Sequence, residues 1–173
     1  MTDENPAGDH PGGDEHQRFA RYLQELAEVA AEEETALVAA VLRDPDETMA
    51  VSAVVRHIDR RANALLSGPR FGEWTRGMAA VIGDREFLVR RLREWALLRA
   101  IVKGEPWTAE EVAAASDWFQ REAAGTATSP EALAHLARAG RTRRVRTAAA
   151  HRMRGHRGEV VRDGPRSDAP GRR

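Results

Sequence analysis

The chain has 173 residues, 42% of them hydrophobic, with 27 basic and 27 acidic side chains and no cysteine, which excludes disulfides, thiolate catalysis and cysteine-ligated metals. No apolar run reaches the ~18 residues of a membrane helix, and the acidic opening MTDENPAGDHPGGDEH lacks the basic start and apolar stretch of a secretory signal. The formal net charge is zero, yet residues 1–50 carry net −10 and residues 138–173 net +9, which points to self-complementing ends or to two different partners.

Residues 1–14 hold Pro6, Gly8, Pro11, Gly12 and Gly13 without periodicity and are expected to form a disordered acidic tail. From Phe19 the pattern turns helical, with Tyr22, Leu23, Leu26 and Val29 recurring at three and four. The run Glu32-Glu33-Glu34 breaks or dips this helix, and its acids suit the first turn of a new one. Leu37, Val38, Val41 and Leu42 form the next apolar stripe. Asp44-Pro45-Asp46 is a stop and restart, because a residue before proline avoids the helical region and Asp46 can cap the next helix. That helix carries Met49, Val54, Ile58, Ala62 and Leu65, and Ser67-Gly68-Pro69 ends it.

Phe71, Trp74, Met78 and Ile82 mark another helix, broken at Gly83-Asp84, with Asp84 the expected cap of its successor. Phe87, Leu88, Leu92, Trp95, Leu98 and Val102 continue at helical spacing up to Gly104. Thr108 and Glu111 form a capping box, which opens one helix through Val112, Ala115, Trp118 and Phe119. Ser129-Pro130 starts the next, with serine as cap and proline at the first helical position. Gly140 breaks it, and a last helix is expected from about Thr142 to Arg154. Residues 155–173 read as a disordered basic tail, and no convincing strand is present. One helical domain is expected over residues 15–154.

Three stretches repeat an apolar helix, a polar break and a second apolar helix: Leu37 to Ile58, Met78 to Leu98 and Leu133 to Met153. Asp44-Pro45-Asp46 at the first turn, and Val145, Ala148 and Ala149 in the second-helix core slots of the third, resemble HEAT-type repeats. The spacing between units is irregular, whereas this class has a near-constant period of roughly 40–47 residues. The resemblance covers about residues 33–154 and implies stacked antiparallel helix pairs, as a short solenoid or a compact bundle. It also implies a helix-lined surface that binds other proteins or, through a basic face, nucleic acid.

No phosphate-cradling loop, nucleophile elbow or paired-histidine motif occurs. His57, His135 and His151 each stand alone in apolar surroundings, read more readily as packed or surface residues than as metal ligands. Trp74, Trp95, Trp107 and Trp118 read as core. No cofactor and no enzymatic activity are expected, and a cytoplasmic location goes with the composition. The candidate contact residues are Arg141, Arg143, Arg144, Arg146, Arg154 and Arg157. At 100° per residue Arg143, Arg146, Arg154 and Arg157 share a sector of about 80° if the helix continues through Gly155. This stripe can face solvent, an acidic protein, the chain's own Glu32-Glu33-Glu34, or phosphates. The expectation is a non-enzymatic protein-interaction module. A nucleic-acid-binding protein using the arginine-rich helix is the alternative, and an enzyme with a site in the helical groove the third reading.

Overall fold

A computed structural model describes residues 11–162, with side chains described from 14 to 155. The tail segments 1–10 and 163–173 lie outside the described residues. Among the described residues the regular structure is entirely helical: α1 (Pro11–Glu28), α2 (Glu34–Val41), α3 (Glu47–Leu65), α4 (Phe71–Ile82), α5 (Glu86–Lys103), α6 (Ala109–Ala114), α7 (Asp117–Thr126), α8 (Pro130–Ala139) and α9 (Arg143–Arg162), with no strand. The chain divides into two compact units, Met1–Trp95 and Ala96–Arg173. The helix that carries Trp95 and Ala96 contributes to both.

Two ends differ from the expectation. The first helix begins at Pro11 rather than after residue 14, because proline is tolerated at a helix start, where its missing N–H has no partner to lose. The last helix runs through Gly155 to Arg162. A glycine costs a helix only about 1 kcal/mol, and no proline follows until Pro165.

In the first unit α1 packs chiefly on α3, and α2 on α4. Leu26, Val38, Val54, Ile58, Met78, Ile82 and Leu88 form its buried core. The break expected around Glu32 is present, with α1 ending at Glu28 and α2 starting at Glu34. The Asp44-Pro45-Asp46 turn works through side chains: Asp46 accepts from the Met49 N–H at 2.9 Å, and Asp44 accepts from the Asp46 N–H at 2.8 Å. The second Asp44 oxygen accepts from the Tyr22 hydroxyl at 2.7 Å, tying α1 to the turn. These bonds hold the Asp44 carboxyl below its usual range, the tyrosine donor first among them, and push the Tyr22 hydroxyl up. Gly83 takes a φ of 61°, left-handed backbone that favours glycine. The residue directly before α5 is Arg85, whose carbonyl accepts the first-turn Val89 N–H, so Asp84 is not its cap.

In the second unit α9 lies against α7 and α8, around Phe119, Ala123, Leu133, Leu136, Val145 and Ala149. The Thr108–Glu111 capping box is present in both directions. Ser129 caps α8 with Pro130 behind it. The single helix expected after Thr108 is two helices. Ser116 accepts from the Phe119 N–H and starts α7 anew, after Ala115 turns extended. Gly140 is demanded by space, since a Cβ there would meet Leu136 O and come within 2.8 Å of Val145 Cγ1.

Candidate functional site

The arginines of α9 and its approach separate into two kinds. Arg141 is consumed by the fold. Its guanidinium donates to Asp117 Oδ1 at 2.8 Å and to the carbonyls of Ala113 at 3.1 Å and Ala115 at 3.0 Å. Its own N–H donates to the side chain of buried Gln120 at 2.8 Å. This clamps the elbow between α6 and α7. Arg146 turns back to donate to the Gly140 carbonyl at 2.7 Å, satisfying an acceptor at the α8 end that no helical N–H reaches. Arg152 does the same for the end of α7, reaching the Ala127 carbonyl at 3.3 Å.

Arg143, Arg144 and Arg154 are exposed and have no ion-pair partner among the described residues. With Thr147, Ala148, His151 and Arg152 they line an open groove of ≈ 830 Å³ whose other wall is Ala124 and Gly125 of α7. On a helical wheel the exposed residues from Arg143 to Gly155 sweep an arc of about 140°, opposite the buried Val145 and Ala149. Two expectations are corrected here. Arg146 leaves the stripe because an unpaired carbonyl at the end of α8 draws it inward. Ala148, expected in the core, is exposed in the groove, because the inward arc of α9 is narrow and centres on Val145 and Ala149. Arg157 lies on α9, and its side chain lies outside the described residues. Arg152 joins the groove without having been anticipated.

A second cluster, in the first unit, was missed from the sequence. Glu34, the first residue of α2, is only 2% exposed. One of its oxygens, Oε1, accepts from His57 Nε2 at 2.7 Å, Arg61 Nε at 3.0 Å and Trp74 Nε1 at 2.9 Å. The other, Oε2, accepts from Arg61 Nη2 at 3.0 Å. Burial pushes this carboxyl up, but the donors from His57, Arg61 and Trp74 outweigh it and bring it down to about 2. Such a carboxylate stays ionised at neutral pH and is a weak base, so it is poorly suited to carrying protons. What it does is fasten α2 to α3 and α4. An adjoining cleft of ≈ 360 Å³ is bordered by Glu32, Arg61, Arg70, Glu73 and Trp74, a lining of mixed charge.

The remaining histidines and tryptophans fall into place. His57 is buried, as expected of a packed histidine. Trp95 is core and donates to Asp59 Oδ1 at 2.8 Å, whereas Trp74, Trp107 and Trp118 are only half-buried. Asp117, beside Trp118, is exposed and pairs with Arg141. Among the described residues no group of three His, Asp or Glu side chains is placed to hold a metal ion, and no helix is long and apolar enough to cross a membrane. No protein-family model, curated protein or solved structure matches the chain.

Proposed function

We propose that the protein is a non-enzymatic interaction module of HEAT-like helix pairs that presents the arginine face of α9 to an acidic protein partner. The observation that carries this reading is the exposed trio Arg143, Arg144 and Arg154 around a groove whose lining contains no carboxylate. Charge held outward without an ion-pair partner among the described residues can steer an anionic partner and set its register. The lowered pKa of Glu34, with three side chains donating to it, supports a structural rather than catalytic use of this carboxyl.

A second reading, nucleic-acid binding, draws on Thr147 and His151, which stand among the arginines and can donate to phosphates. The test is fluorescence anisotropy with polyglutamate, duplex DNA and single-stranded RNA at matched salt. The proposal expects polyglutamate to bind, and charge reversal by Arg143→Glu with Arg154→Glu to abolish binding with helicity unchanged. Tighter binding of either nucleic acid, falling steeply with salt, selects the second reading. No binding of any polyanion overturns both.

A further inference from the structure

The order of side chains along the groove says more than its charge. Arg143 and Arg144 stand at one end and Arg152 and Arg154 at the other, with Thr147, Ala148 and His151 between them. From Arg143 to Arg154 the helix rises about 16 Å, three turns. The middle of this wall therefore carries no arginine, while its two ends are cationic. Across from it, Ala124 is buried and Gly125 is exposed. A Cβ at Gly125 would meet nothing within 4 Å, so open space lies in front of it.

A phosphate backbone bears a charge at every residue and is best met by cations at every step. A helix presents side chains at discrete heights: carboxylates three turns apart on one face, small or apolar residues between. Small residues on both sides let two helices approach to about 8 Å. We infer that the groove between α7 and α9 takes an acidic amphipathic helix of an intermolecular partner. Its central apolar residues seat against Thr147, Ala148 and Gly125, and carboxylates about eleven positions apart pair with Arg143 or Arg144 and with Arg154. The inference rests on the proposed function and adds the shape of the partner to its charge.

The probe is a designed helical peptide of about 18 residues with glutamates eleven positions apart and alanine and leucine between, set against the same peptide interrupted by a central proline. Polyglutamate and duplex DNA serve as shape-free polyanions. All are titrated by anisotropy against the full chain. The expected result is that the helical peptide binds at least about tenfold more tightly than its proline-interrupted form, ~1.4 kcal/mol. The variant Gly125→Leu fills the groove at a position where a side chain has room and helix propensity rises. It is expected to abolish this preference with helicity unchanged by circular dichroism.

Equal binding of the helical and proline-interrupted peptides overturns the helix inference and leaves the acidic-partner reading standing. So does a preference that survives Gly125→Leu. DNA binding tighter than any peptide, or no binding of any polyanion, overturns both.

Discussion

The chain uses ionic side chains in opposite ways around Glu34 and along α9. At Glu34 one buried carboxylate gathers His57, Arg61 and Trp74 from two neighbouring helices. Along α9 and the turn before it, Arg141, Arg146 and Arg152 close carbonyls left open by helix ends, while Arg143, Arg144 and Arg154 have no ion-pair partner among the described residues. An arginine-rich segment is therefore not one surface. A guanidinium near a helix terminus is drawn to orphan carbonyls first, and only those out of reach of one remain for a partner.

The largest break in this contrast comes from Glu34→Ala. It leaves His57, Arg61 and Trp74 without their shared acceptor and is expected to cost about 3–5 kcal/mol, read by urea denaturation followed by tryptophan fluorescence. A loss under about 1 kcal/mol, the net worth of a single ordinary hydrogen bond, would show the network to be dispensable.

Acid tests the same network in the intact chain. Because the Glu34 carboxyl is lowered from 4.5 to about 2 on folding, its contribution is full above its unfolded value, falls as pH drops below about 5 and is gone once pH passes below about 2. The amount at stake is on the order of 3 kcal/mol. Glu34→Gln is expected to flatten this part of the stability–pH curve, and an unchanged curve would assign the acid sensitivity to other groups.

Arg141→Ala removes donors to two carbonyls and a half-exposed ion pair with Asp117. It is expected to cost about 1 kcal/mol, nearly all from the carbonyls because the solvated pair adds little. The smallest change is that of Arg143→Ala or Arg144→Ala, within about 0.5 kcal/mol of the parent in stability. Equal losses at Arg141 and Arg143 in thermal melts would erase the distinction between consumed and outward arginines.

Local chemistry was legible in the sequence. Asp46, the Thr108–Glu111 box and Ser129-Pro130 act within four residues of themselves, and each stands where its pattern placed it. Ser116 was not legible, because Val112, Ala115 and Phe119 keep helical spacing straight across the break. Glu34 reads as one acid in a solvated run, since its partners lie 23, 27 and 40 residues away. Of the stripe read from helical spacing, Arg143 and Arg154 stand exposed, and Arg144, named as a contact residue outside that stripe, stands with them. Arg146 was misassigned because helical spacing carries no information about a carbonyl at the end of the preceding helix. The outward position of Ala148 and the groove wall at Gly125 depend on how α7 packs against α9, which spacing within either helix does not encode.

Three donors converging on a single oxygen of Glu34 carry a consequence for how this chain can change over generations. Glu34 cannot be exchanged alone without leaving its three donors, the buried His57 among them, without their shared acceptor. An apolar replacement of the whole set at once can be neutral or better, yet every path to it by single steps crosses a valley. The cluster is thus an epistatic lock, held in place by the absence of a viable intermediate. The outward arginines of α9 bear no such linkage. Each is free to vary alone, so the charge of this face can change residue by residue while the first unit stays as it is.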